Sequence, residues 1–109
     1  MPIRAWFAAF VFTQLVEVPI YSTALPCSLI AAFGASAITH PIVWFGFFSP
    51  AWHAPYLAKL GLAEAFAWLV EAGYFAFRIP LRRALFWSFV ANAASVSTGF
   101  ASRALFGVP

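Results

Sequence analysis

Residues 13–21 read TQLVEVPIY, set between AWFAAFVF and STAL. A glutamate and a proline interrupt a run that is otherwise almost wholly apolar. The run from Arg4 to Leu25 is long enough to cross a bilayer, which takes about 20 mostly apolar residues in a helix. Lipid as the solvent and a purpose for Glu17 therefore have to be considered together.

Composition points the same way. The chain has 109 residues, 64% of them hydrophobic and 8% charged, with a mean hydropathy of +0.91. A soluble domain carries about 25% charged residues. A fold this small has too little interior to hide so much apolar surface. The formal charge is +3, from six basic and three acidic residues. That is too weak and too scattered for a nucleic-acid footprint, so no nucleic-acid partner is expected.

Three further apolar stretches follow the first, roughly 27–48, 56–77 and 81–106. The breaks between them, LPCS, SPAWHAP and RIPLR, are short and all contain proline. Short connections make consecutive helices antiparallel neighbours. The expected fold is all-α and integral to the membrane. Four antiparallel transmembrane helices form an up-down-up-down bundle over residues 1–109, with both termini on the same side. The lone cysteine, Cys27, allows no internal disulfide and reads as a small apolar residue at a helix start. Pro26 before it fits a lipoprotein site badly. Gln14, Glu17 and Pro19 interrupt what would be a signal peptide's apolar core, so the first segment is expected to be retained as a span.

The side holding the termini carries Arg4, Lys59 and Arg103, and the other carries Arg78, Arg82 and Arg83. Basic residues in short loops set orientation, and three against three leaves it undecided. Trp6, Trp44, Trp52, Tyr56, Tyr74 and Trp87 lie toward segment ends, as an aromatic belt places them. The expected location is a prokaryotic inner (plasma) membrane.

The acids give the strongest signal. There is no aspartate, and Glu17, Glu64 and Glu71 all lie within expected spans. An ionisable group at the bilayer centre costs a few kcal/mol or more, faces the bundle interior and marks a functional site by default. Gln14, Glu17 and Tyr21 are spaced three and four apart and form one stripe. Pro19 leaves the Leu15 carbonyl without its usual partner, so a kink beside Glu17 is expected. The kink either serves a polar site or improves packing. In the second segment Ser36, Thr39 and His40 precede Pro41, which frees the Ala37 carbonyl. His40 reads as a neutral hydrogen-bonded histidine, a carboxylate partner, a metal ligand or an axial ligand to a haem or chlorophyll. His53 falls in a loop.

Glu64 and Glu71 are seven apart on one helical face with Trp68 between them. Ser88, Asn92, Ser95, Gly99 and Ser102 form a small-and-polar stripe on the fourth helix, suited to close packing and to docking the carboxylates. Matching depths predicts two layers, Glu64 with His40, and Glu17 with Glu71 and Asn92. Two carboxylates in one low-dielectric layer cannot both ionise freely, so a proton or a cation is expected between them.

The layout resembles small multidrug-resistance transporters in length, in four helices, in a first-helix glutamate and in balanced end charges. The resemblance covers architecture only, since AEAFAWLVEAGYF carries a glutamate pair those transporters lack and none of their glycine and tryptophan motifs. The residues themselves point to a small transport-type protein. In it Glu17, Glu64, Glu71, His40, Asn92, Gln14, Tyr21 and Ser95 form a polar core for protons, a cation or a proton-coupled solute. Beyond the bilayer, the expected partners are copies of the chain in a homo-oligomer or the subunits of a larger membrane complex. The alternative is an accessory subunit of a respiratory or photosynthetic complex, its polar stripes serving helix packing. An intramembrane enzyme is a third reading, but no nucleophile motif and no spacing such as H-x-x-E-H appears. No cofactor is required by the sequence, and the candidate metal ligands are Glu64 and His40.

Overall fold

The computed structural model describes residues 3–49 and 51–107. Pro50 of the second connector and the chain ends at 1–2 and 108–109, which the expected bundle included, lie outside the described residues. Four α-helices follow one another: α1 Ile3–Ala24, α2 Leu29–Ile42, α3 Tyr56–Ala76 and α4 Leu81–Phe106. A π-helical segment, Val43–Phe47, extends α2.

Local chemistry accounts for most of the boundaries. α2 starts at Leu29 rather than at the expected Cys27, because Ser28 is the N-cap and its hydroxyl accepts from Ala31 N at 3.1 Å. Such a cap satisfies an amide that the first turn leaves without a partner. α4 follows Pro80 at once, where a missing N–H costs nothing. It ends at Gly107, whose φ of 72° is left-handed and whose N–H bonds to the Arg103 carbonyl. Only glycine takes that conformation freely. α1 runs unbroken through Pro19, and the Thr23 hydroxyl donates to the Pro19 carbonyl at 2.6 Å.

Pro41 has a different effect. Its ring crowds the carbonyl one turn back and removes a hydrogen bond. The helix continues for one residue and then widens, with Phe48 N bonded to Val43 O at 3.1 Å. A π turn absorbs an extra residue where the α ladder is disturbed.

Each helix packs on two neighbours: α1 on α2 and α4, and α3 on α2 and α4. Arg83, at the start of α4, donates to the Ala24 carbonyl at the end of α1 at 2.9 Å. Tyr74, near the end of α3, donates to the Ala31 carbonyl near the start of α2, also at 2.9 Å. These contacts gather four helix ends at one end of the bundle. The apolar core sits beside them, built on Tyr21, Leu25, Ala35, Phe75, Ile79 and Ala84.

Large apolar side chains lie on the surface while several polar ones are buried. Leu15, Ile30, Leu57 and Phe77 are 70, 84, 76 and 91% exposed, whereas Glu17, Glu71, Ser36 and Ser88 are at most 1% exposed. A water-soluble protein does the reverse. α1, the α2–π segment and α4 are long and apolar enough to cross a membrane. α3, at 21 residues, matches them in length but spreads Lys59, Glu64 and Glu71 along it, whereas the three arginines of α4 sit near its ends.

Candidate functional site

The polar residues of four helices meet at one place. Glu17 comes from α1 and Glu71 from α3. Glu17 Oε1 accepts from Ser36 Oγ at 2.6 Å and Oε2 from Ser95 Oγ at 2.7 Å. Glu71 Oε1 accepts from Tyr21 Oη at 2.5 Å and from Asn92 Nδ2 at 3.2 Å, and Oε2 accepts from Thr39 Oγ1 at 2.8 Å. The two carboxyl groups face each other within this network.

Helical spacing puts these groups in place. Glu17 and Tyr21 are one turn apart on α1, as are Ser36 and Thr39 on α2 and Asn92 and Ser95 on α4. Residues three and four apart share a face, so α2 and α4 each deliver one donor to each carboxylate, and α1 carries Glu17 itself and delivers Tyr21 to Glu71. Asn92 is itself anchored, its Nδ2 donating to the Ser88 carbonyl at 2.8 Å. Ser88 and Ala91 are fully buried, and such small side chains let α4 approach closely enough for Asn92 and Ser95 to reach the acids.

The five donors are four hydroxyls and one amide, all neutral. Hydroxyl–carboxylate bonds of about 2.5–2.7 Å belong to the charge-assisted class. No basic side chain supplies the opposite charge through any of these bonds. Two ionised carboxylates in contact would repel strongly at low dielectric. A proton on one of them relieves that repulsion, so the arrangement fits one negative charge and one proton on the pair.

A cavity of about 440 Å³ opens beside the pair. Glu17, Glu71, Asn92 and Ser95 line one part of it, and His40, Glu64 and the exposed Arg103 another. Phe12, Trp44, Phe48 and Phe100 supply aromatic wall. The apolar core around Tyr21, Leu25 and Phe75 packs next to the carboxylates, and none of those three lines the cavity.

Of the residues singled out in the sequence, Glu17, Tyr21, Glu71, Asn92 and Ser95 come together in the network. Gln14 does not join it. It is buried, its Nε2 donates to the Phe33 carbonyl at 3.3 Å, and its Oε1 has no partner. Glu64 and His40 line the same cavity but are not hydrogen-bonded to each other. His40 packs against Phe10 and Trp6, with ring centroids 5.3 and 6.1 Å away, and its Nε2 has no partner. Glu64 lines the cavity half-buried and hydrogen-bonds to none of the described polar residues of the network. Among the described residues no group of three or more His, Cys, Asp or Glu is placed to hold a metal ion, so Glu64 and His40 lack a third ligand there. Ser36 and Thr39 are donors that the sequence placed next to His40 without linking them to a carboxylate. Their three-residue spacing, opposite the Glu17–Tyr21 stripe, was the available signal.

No protein-family model matches the chain, and no curated protein or solved structure is similar enough to it to lend a fold or an activity.

Proposed function

We propose that the chain crosses a membrane four times, up-down-up-down with both termini on one side. In this reading Glu17 and Glu71 together bind one exchangeable proton, coupled to the movement of a cation or solute through the adjacent cavity. The observation that carries it is the pair of neighbouring carboxyl groups, ringed by neutral donors from α1, α2 and α4 and bordering a cavity. The longest dimension of the fold is 36 Å, enough for a hydrocarbon core of ~30 Å. At ~1.5 Å per residue, Glu17 lies about 21 Å along α1 and Glu71 about 22 Å along α3, which puts the two acids at one depth. The cavity serves as the route from one face, and the core around Tyr21 and Phe75 separates the pair from the other. The protein acts as a homo-oligomer or within a larger membrane complex.

Glu17→Gln is the decisive variant. It keeps the size and a hydrogen-bonding end, and removes the proton that can leave. The fold is expected to survive and proton flux in liposomes to be abolished. Wild-type flux in this variant would refute the proposal.

A second reading draws on the same network. Every carboxylate oxygen of the pair already accepts a hydrogen bond, as in a device that fixes four helices against each other. In an accessory subunit of a larger complex, Glu17→Gln would be silent. Glu17→Leu would loosen the packing by leaving Ser36 and Ser95 without an acceptor, and other subunits would co-purify with the chain.

A further inference from the structure

Glu17 and Glu71 do not meet the same donors. Glu71 accepts from Tyr21, Thr39 and Asn92. Glu17 accepts from two serines, Ser36 and Ser95. What separates the two sets is which groups can turn round. A protonated carboxyl has one O–H to donate and needs a neighbour that accepts it. A buried hydroxyl accepts at low cost only where its own proton has another oxygen to reach.

Around Glu71 that condition is poorly met. Tyr21 is fully buried, and its hydroxyl bonds to Glu71 and to no other described residue. Asn92 is held as a donor, because its Nδ2 also donates to the Ser88 carbonyl at 2.8 Å. Turning the amide over would set its oxygen against that carbonyl. Thr39 has the Ala35 and Ser36 carbonyls as alternatives, both 3.4 Å away, well past the usual O–H···O range.

Around Glu17 one group meets it. Ser95 Oγ lies 2.7 Å from Glu17 Oε2 and 3.1 Å from the Asn92 carbonyl. It can give its proton to that carbonyl and accept one from Glu17. Ser36 then donates to Oε1, the C=O end of a neutral acid. Ser95 also lines the interior cavity, whereas Ser36 and Tyr21 do not.

We propose that Ser95 is the relay through which the pair exchanges its proton with water in the cavity, the proton resting on Glu17 Oε2 and Glu71 remaining the fixed anion. In the exchange the Oε2–H bond breaks as that proton passes to Ser95 Oγ. Ser95 turns its own proton from the Asn92 carbonyl to a cavity water and gives it up there. Glu17 is left a carboxylate and the water a hydronium ion. Two ionised carboxyls side by side then draw a proton or a cation back. The assignment rests on the reading that the pair holds one proton, and adds which acid carries it and by which side chain it leaves.

The test is infrared spectroscopy of the full chain in lipid as the buffer is switched to heavy water. A Glu64→Gln background leaves the pair as the only carboxyl groups within the spans. A protonated-carboxyl C=O band is expected. Glu17→Gln should remove it and Glu71→Gln should keep it. The rate at which the band shifts after the switch reads proton exchange whether or not anything is transported. Ser95→Ala should slow that shift by roughly a hundredfold. Ser95→Thr, which keeps the hydroxyl, should exchange at close to the wild-type rate. Ser36→Ala also takes a donor from Glu17, but should leave the rate close to wild type and raise the band's frequency, as a C=O group does on losing a donor. Loss of the band in Glu71→Gln as well as in Glu17→Gln would keep a proton on the pair and overturn its place on Glu17. A wild-type exchange rate in Ser95→Ala would overturn the relay. Absence of the band before either acid is changed would contradict proton binding by the pair itself, and the assignment would fall with it.

Discussion

Tyr21 shows what a single side chain does in this interior. It is fully buried, and its hydroxyl has one donor to give, which goes to Glu71. Tyr21→Phe removes that donor and leaves Asn92 and Thr39 on the same carboxylate. Side-chain hydrogen bonds between membrane helices are worth about 1 kcal/mol, and the partners left behind soften the loss. The variant is expected to lose about that much in unfolding stability, read by thermal or detergent denaturation. No change would mean that the bond makes no net contribution. The stripe Glu17–Tyr21 was legible in the sequence because its spacing matches the helix period and its residues are rare in lipid. Gln14 has the same spacing and goes elsewhere, to the Phe33 carbonyl, because a flexible amide can reach a backbone group on the neighbouring helix. Ser36 and Thr39 were harder to assign. A helical serine or threonine ordinarily bonds back to its own backbone, and nothing in a sequence says which will turn to a carboxylate instead. Thr39 lies within 3.4 Å of the Ala35 and Ser36 carbonyls as well, yet its shortest contact is to Glu71.

Between elements, the Tyr74 side chain of α3 comes close to α2 at Gly34. A Cβ placed there would lie 2.7 Å from Tyr74 Oη and 3.6 Å from Cζ. Real contacts do not come as close as the first distance, while the second is ordinary. Gly34→Ala should therefore force Tyr74 off the Ala31 carbonyl and destabilise the protein by about 1–3 kcal/mol. Adding Tyr74→Phe should recover part of that loss, because the clashing atom goes with the hydroxyl. A double variant no more stable than Gly34→Ala alone would locate the problem elsewhere. Helix existence and approximate ends were readable from four apolar runs cut by prolines. What happens after Pro41 was not. The sequence shows that a hydrogen bond is lost at that proline, but whether the helix kinks, stops or widens depends on the packing around it, and here it widens over Val43–Phe47.

At the scale of the molecule, the apolar exterior around a polar interior is legible from composition alone, since a chain with so few charges has nothing else to put outside. The depth of the acids could also be reasoned, because antiparallel helices of similar length bring equal distances together. Orientation could not, with basic residues balanced between the two ends. In a Cys27→Ala background, cysteines introduced at Arg4 and Leu105 are expected to react with a membrane-impermeant maleimide from the same side of the vesicle. Reaction from opposite sides would contradict four crossings, and α3, with three charges spread along its length, would be the one to reconsider. The central claim is that Glu17 and Glu71 share one proton inside the membrane, and infrared spectroscopy of the protein in lipid at neutral pH reads it most directly. In the Glu64→Gln background, where only the pair contributes carboxyl groups within the spans, a protonated-carboxyl C=O band that shifts in heavy water is predicted, and Glu17→Gln should remove it. Absence of the band, or its persistence unchanged in Glu17→Gln, would contradict the account.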